Sequence, residues 1–318
     1  MKITILDKAS LGEDTPLDEF LEFGEVTVYD STARDQINER IADTDVIITN
    51  KVRITEDAMM AAGQLKLICV FATGYDNIDV AAAKKLGIGV CNVPGYSTES
   101  VTLYTVSTAL ALYTKLISYR GFVNDGSYSA SGAPNRLTPV YHELCGKTWG
   151  IIGCGNIGRG VAKIAEAFGA SVVFHTRTKR DGYTCVSLDE LCATSDIITI
   201  HCPLTDLTRE MINKDTLSKM KKDVVLVNEA RGAVVDEAAV AEAVLNKGIG
   251  AYGCDVYSKE PFDKDHPYNK IKDLDNVILT PHAAWGAYEA RVRCVKTICM
   301  NIKAFIEGKN LNRVDLVK

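Results

Sequence analysis

The string Gly153-Cys154-Gly155-Asn156-Ile157-Gly158 constrains the fold of this chain more than any other feature. An apolar run, Trp149-Gly150-Ile151-Ile152, leads into it, and Val161, Ala162, Ile164 and Ala165 continue after it at helical spacing. Three glycines at this spacing are weak evidence alone; between a strand and a helix they acquire physical meaning. The first permits a tight turn, the second lets a pyrophosphate approach the backbone, and the third lets helix and strand pack closely. The helix N-terminus then offers free N–H groups and positive potential to phosphate oxygens. Gly153, Gly155, Asn156, Ile157 and Gly158 are therefore candidate dinucleotide ligands.

Strand-like and helical stretches alternate on both sides of this turn. Expected strands cover residues 3–6, 26–29, 46–49, 67–70 and 89–91 before it. A second series starts near Thr148 and continues at 172–174, 197–200, 224–227, 252–254 and 277–279. Thr32 and Asp35 offer a capping-box-like start to a helix running through Ile41. A long helix is expected over 98–117 and a last one over 287–306, whereas 118–141 reads as a linker, a functional loop or an arm packing on a partner subunit. Short apolar strands between amphipathic helices imply parallel sheets covered on both faces. The layout is α/β, with two doubly wound parallel-sheet domains and a cleft between them.

A chain of 318 residues with 47% hydrophobic content buries a core large enough for two domains. Its net charge of −5 argues against a nucleic-acid or membrane-surface partner, and no apolar run approaches the ~20 residues that span a bilayer. The opening Met1-Lys2-Ile3-Thr4-Ile5-Leu6-Asp7 reads as a strand rather than a cleavable leader. The 10 cysteines form no Cys-x-x-Cys pair, and Cys69, Cys91, Cys202 and Cys254 lie in apolar stretches. They read as reduced thiols of a cytoplasmic protein, and no Cys/His spacing suits a metal.

Two further patterns carry chemistry. An acidic residue about 20 positions beyond the glycine turn would bind the ribose 2′-hydroxyl of NAD. This chain instead runs Phe174-His175-Thr176-Arg177-Thr178-Lys179-Arg180, with no carboxylate before Asp181. Thr176, Arg177 and Thr178 suit a 2′-phosphate, which favours NADP(H); NAD(H) is the alternative if the loop is merely solvated. His175 would line the adenosine region. Downstream, Arg231, Glu260 and His282 each follow an expected strand. Ligands of open α/β sheets bind outside the carboxyl ends of strands. A cation, a carboxylate and an imidazole there suit redox chemistry on an anionic carbonyl compound.

The trio and its neighbours resemble the D-isomer-specific 2-hydroxyacid dehydrogenases along essentially the whole chain. The motifs are Gly74-x-x-Asn77-Ile78-Asp79, Asn92-Val93-Pro94-Gly95-Tyr96-Ser97, the glycine turn, His201-Cys202-Pro203-Leu204-Thr205, Asn228-x-x-Arg231-Gly232, Asp255-Val256 through Glu260-Pro261, and Thr280-Pro281-His282. Asn50-Lys51 and Tyr96 through Val101 look most like the glycerate dehydrogenase/hydroxypyruvate reductase branch. The resemblance implies a Rossmann dinucleotide domain over 102–284, inserted in a flavodoxin-like substrate domain of 1–101 plus 285–318.

It also implies roles. His282 would protonate the carbonyl oxygen, Glu260 would hydrogen-bond His282 and favour its imidazolium form, and Arg231 would clamp the substrate carboxylate. Backbone N–H groups at Thr73, Gly74 and Tyr75 would bind that carboxylate from the other domain. Asp255 would hold the nicotinamide carboxamide, with Cys202, Pro203, Thr208, Glu229 and Ala230 completing the cofactor site. Leu103-Tyr104 stands where many relatives carry a Gln/Glu-His pair, and Trp285 places a large aromatic near the histidine, where it would contact substrate. The expected activity is NADPH-dependent reduction of glyoxylate or hydroxypyruvate to a D-2-hydroxy acid by a homodimer held through 118–141. Alternatives are an NAD-dependent dehydrogenase of D-lactate or larger apolar 2-hydroxy acids, a phosphoglycerate dehydrogenase, and a dinucleotide-sensing protein like the C-terminal-binding corepressors. Formate dehydrogenase is disfavoured, because those enzymes pair the histidine with glutamine where this chain has Glu260.

Overall fold

In the computed structural model, which describes residues 1–317, the chain divides into two compact units. One comprises Met1–Ser97 and the chain from Gly286 on; the other is Thr98–Trp285.

The first unit holds a parallel sheet of β1 (Lys2–Ile5), β2 (Glu25–Val28), β3 (Val46–Thr49), β4 (Leu67–Val70) and β5 (Gly89–Cys91), ordered β2-β1-β3-β4-β5. Every residue of β3 and β4 is buried, as strands covered by helices on both faces must be. Helices α1 (Ile37–Ile41), α2 (Glu56–Ala61) and α3 (Val80–Lys85) connect the strands. Side-chain caps define two of them: Thr55 accepts the Ala58 N–H, and Asp79 accepts the Ala82 N–H. Thr32 does not cap α1 as its sequence suggests. Its hydroxyl donates to the Leu6 carbonyl at 2.6 Å, while Gln36 Oε1 accepts the Ala33 N–H at 3.0 Å, so a 3-10 turn over Arg34–Gln36 precedes the helix.

The second unit runs α4 (Thr98–Tyr113), α5 (Leu116–Asn124), α6 (Ser127–Ser131), β6 (Thr148–Ile152), α7 (Asn156–Ala167), β7 (Ser171–His175), α8 (Leu188–Thr194), β8 (Ile197–Ile200), α9 (Lys214–Ser218), β9 (Val225–Asn228), α10 (Glu237–Leu245), β10 (Ala251–Cys254) and β11 (Val277–Leu279). Its six-stranded parallel sheet has the order β11-β10-β9-β8-β6-β7, and a parallel bridge from Phe174 to Cys185 extends it past β7. Strand order reverses at β6, so the crevice outside the carboxyl ends of β6 and β8 is where such a sheet takes its ligand. The last helix, α11 (Tyr288–Ile306), belongs to the first unit, where it buries Ala290, Cys294, Val295, Ile298 and Ile302.

Residues 98–141 depart from the expected pattern. Lys115, at φ 57°, takes the left-handed conformation, so the long helix stops at Tyr113 and a new one starts at Leu116. The stretch beyond is not irregular, because α5 and α6 lie in it. Neither helix buries a residue, and Leu116, Val123, Leu137, Val140 and Tyr141 are exposed. With no core against these helices, apolar periodicity has nothing to follow. Among the described residues no helix is long and apolar enough to cross a membrane, and every cysteine is a free thiol.

Candidate active site

The glycine turn forms a cradle that side chains would fill. Gly153 has φ 104°, and a Cβ there would lie 2.8 Å from the Cys202 nitrogen. A Cβ on Gly158 would lie 2.2 Å from the Gly153 carbonyl oxygen, so these two glycines are required for packing. Gly155 differs: a Cβ there would meet nothing within 4 Å, so its missing side chain leaves space for something outside the chain. Gly155 also gives α7 no side-chain cap, leaving the helix's first N–H groups for a ligand. Asn156 Oδ1 accepts from Arg159, and Ile157 is half-buried in the same first turn. The site fits a dinucleotide pyrophosphate.

Beyond β7, His175 Nδ1 lies 3.3 Å from the Val186 carbonyl, and its own carbonyl accepts the Gly153 N–H. The Thr176 hydroxyl makes one long bond, 3.4 Å, to the Thr178 carbonyl. Arg177 and Thr178 are exposed, and the Arg177 guanidinium has no protein partner among the described residues. After β8, Cys202 is half-buried and Pro203 exposed. Thr208 accepts the Thr205 N–H at 2.8 Å and donates to the Pro203 carbonyl at 2.7 Å, closing its own turn.

The trio sits on three loops of this unit. His282 has φ 55°, a backbone conformation uncommon for a residue with a Cβ. Its Nδ1 lies 2.6 Å from Glu260 Oε2, while Glu260 Oε1 accepts the Tyr257 N–H at 3.0 Å. His282 Nε2 has no protein partner among the described residues. Arg231 is exposed, with Nη1 donating to the Ala230 carbonyl at 2.8 Å, and Asn228 fixes the turn by donating to the Arg231 carbonyl at 3.0 Å and accepting from the Ala230 N–H at 3.1 Å. The next residue, Gly232, brings the Arg231 turn and the Glu260 loop together: a Cβ there would lie 2.0 Å from the Tyr257 carbonyl carbon. Trp285 is half-buried beyond His282. In the first unit, Thr73 donates its hydroxyl to the Val93 carbonyl at 2.8 Å, and Asn92 donates to the Thr73 carbonyl at 2.7 Å. The N–H groups of Thr73, Gly74 and Tyr75 have no protein acceptor among the described residues.

Several contacts around these loops are not visible in the sequence. Asp255, 1% exposed, anchors the histidine loop by accepting from Thr280 Oγ1 at 2.6 Å and from the Ala283 and Ala284 N–H groups at 2.8 Å. A carboxylate accepts about four hydrogen bonds, so capacity for one more remains. His266, without an obvious partner in the sequence, meets Glu237 at 3.0 Å, and Glu237 also accepts the Ser258 N–H at 2.9 Å, bracing the Glu260 loop on α10. Both ring nitrogens of His201 are buried without a partner, and burial pushes the imidazole down to about 3, so the ring is neutral. Glu229, 8% exposed, is pushed up to about 8 by burial. No group of His, Cys, Asp or Glu among the described residues suits a metal.

A dinucleotide cradle in a sheet whose later strand ends carry an imidazole–carboxylate pair and an arginine belongs to a nicotinamide-dependent oxidoreductase. The family profile described as "D-isomer specific 2-hydroxyacid dehydrogenase, NAD binding domain" matches residues 106–284, and the chain belongs to that family. It is similar to a glycerate dehydrogenase of Methylorubrum extorquens, 38% identical over 99% of both chains. A hydroxypyruvate reductase of Blautia hydrogenotrophica is 34% identical over 99% of this chain and 100% of its own. Among solved structures, an acyclic imino acid reductase in complex with NADPH and D-Arg superposes with a TM-score of 0.85 at 30% identity, covering 99% of this chain and 100% of that one.

Proposed function

We propose that this enzyme reduces a small 2-oxo acid, glyoxylate or hydroxypyruvate, to the D-2-hydroxy acid, with NADPH preferred over NADH. The observation that carries the chemistry is the 2.6 Å contact of His282 Nδ1 with Glu260, which leaves Nε2 without a protein partner. A carboxylate at Nδ1 fixes the tautomer and ring orientation. His282 then gives its Nε2 proton to the substrate's carbonyl oxygen in reduction and takes it back in oxidation. Arg231 binds the substrate carboxylate through its guanidinium fork, and the three N–H groups at Thr73–Tyr75 suit a carboxylate as well. Asp255 holds the His282 loop and has capacity left for the nicotinamide carboxamide. When bound, the dinucleotide supplies the hydride.

Arg177 supports the NADPH preference, because an exposed guanidinium without a partner beyond β7 suits a 2′-phosphate. The similarity to the Methylorubrum glycerate dehydrogenase and the Blautia hydroxypyruvate reductase supports the substrate class. Trp285 would restrict the size of the substrate's side chain. The exposed apolar residues of α5, α6 and 137–141 support a homodimer formed through this arm, and ten free thiols suit a reducing compartment such as the cytoplasm. The test is the fall in nicotinamide absorbance with a panel of 2-oxo acids, run with NADPH and NADH in parallel. Turnover of glyoxylate or hydroxypyruvate with NADPH is expected; equal or better rates with NADH would overturn the cofactor preference.

A further inference from the structure

Glu229 is a carboxyl group that the chemistry above does not use. It stands immediately after β9, two residues before Arg231, and is 8% exposed. Thr105 Oγ1, on α4, donates to Glu229 Oε2 at 2.7 Å, and the Thr108 hydroxyl stands one helical turn on, on the side that favours the ionised form. From the loop after β10 the facing charged group is Asp255, whose carboxyl already takes three donors from residues 280–284. Along its own turn, Arg231 is the next charged residue, directed onto the Ala230 carbonyl. No cation among the described residues pairs with Glu229. A carboxylate here would be buried, unpaired and close to a second carboxylate, whereas a protonated carboxyl still accepts from Thr105.

We propose that Glu229 is a positioning residue for Arg231, and that its neutral carboxyl, tied to Thr105, keeps the Arg231 turn on α4 and free of negative charge. The consequence concerns anionic substrates. Ionisation of Glu229 places a negative charge two residues from the guanidinium that holds the substrate carboxylate, so binding weakens while proton transfer at His282 is untouched. The carboxyl's displacement to about 8, caused first by burial, puts the transition on the alkaline side of neutrality. This inference rests on the 2-oxo acid reading of the site.

Two measurements separate it from that reading. In the first, KM and kcat for glyoxylate and hydroxypyruvate are followed from pH 6 to pH 10 in the wild type, Glu229→Gln and Thr105→Val. Wild-type KM should rise up to tenfold per pH unit above the transition, with kcat following a separate profile. In Glu229→Gln the KM rise should vanish, whatever the variant's KM at neutral pH. Thr105→Val removes a donor that favours the ionised form, so its KM rise should move to higher pH. The second measurement uses no substrate. Urea unfolding of wild type and Glu229→Gln is compared as a function of pH. The folded carboxyl lies above its ordinary value of 4.5, so wild-type stability is lost relative to glutamine as pH climbs from there to about 8, and the difference is flat beyond. The ratio of unfolding constants should grow up to tenfold per pH unit across that window. A KM rise that persists in Glu229→Gln, or a ratio that does not change with pH, overturns the proposal. Absence of 2-oxo acid turnover in the wild type at every pH would instead overturn the activity, and the unfolding ratio would still report whether Glu229 is neutral in the fold.

Discussion

Replacing Gly155 and Gly158 separately with alanine distinguishes a glycine kept for a ligand from one kept for the fold. Gly155 has φ −81° and ψ −168°, a conformation that alanine adopts freely, and its added Cβ would meet nothing within 4 Å. Without cofactor, Gly155→Ala should therefore be neutral or stabilising by about 0.4–1 kcal/mol, because alanine restricts the unfolded chain more than glycine does. For a domain of this size that is a rise in Tm of roughly 1–4 °C. Gly158→Ala places its Cβ 2.2 Å from a backbone oxygen that has no rotamer to escape into. Overpacking of this kind costs about 1–3 kcal/mol, so this variant should melt earlier without cofactor. Dinucleotide binding should show the opposite sensitivity. In Gly155→Ala the methyl group occupies the space left for pyrophosphate, and loss of hydrogen bonds to a charged ligand costs about 1.5–3 kcal/mol each. One lost bond corresponds to a Kd roughly 10- to 150-fold weaker. Differential scanning fluorimetry gives the stabilities and titration calorimetry with NADPH gives the affinities. A Gly155→Ala protein that melts as well as wild type and binds NADPH equally tightly would refute the argument that this gap faces the phosphates.

Four other perturbations probe the site and the arm. His282→Ala should lower kcat by about 10²- to 10⁴-fold, the usual contribution of a positioned acid–base group, with little change in NADPH affinity by fluorescence titration; Glu260→Gln, which keeps a hydrogen bond but not the charge, should lose less. Arg177→Ala should raise KM for NADPH by roughly 10- to 150-fold, the loss of one charge-assisted bond, and leave KM for NADH unchanged in the same absorbance assay. Light scattering after size separation should report a dimer, and aspartate at both Val123 and Val140 should shift it towards monomer without lowering the Tm of the isolated chain, since both side chains are already exposed.

What the sequence discloses follows where burial imposes a pattern. The strands at 46–49, 67–70, 89–91, 197–200 and 277–279 are readable to the residue, most plainly those at 46–49, 197–200 and 277–279, whose short, mainly apolar runs are bounded on both sides by polar residues. Helices α5 and α6 bury nothing, so no periodicity betrays them, and the break before α5 depends on a lysine in a left-handed conformation that no residue type announces.

The site divides along a similar line. Arg231, Glu260 and His282 stand out in the sequence by their order after strands, because the sheet dictates where such side chains emerge. The contacts that make them a unit are not legible, since they join residues far apart in sequence and use groups common to every chain. Asp255 looks like a ligand of the cofactor, yet its oxygens are taken mostly by backbone N–H groups of the histidine loop. Glu229 is expected from the sequence as a cofactor contact, and its bond to a threonine 124 residues earlier, on α4, is visible only in the structure. Gly232 illustrates the point most directly. In the sequence it is only the glycine after Arg231, whereas the structure gives it no special backbone angle and instead closes the Tyr257 backbone against it. Proximity of the Arg231 turn to the Glu260 loop therefore depends on the absence of a side chain, and an absence carries meaning only once the neighbouring loop is in place.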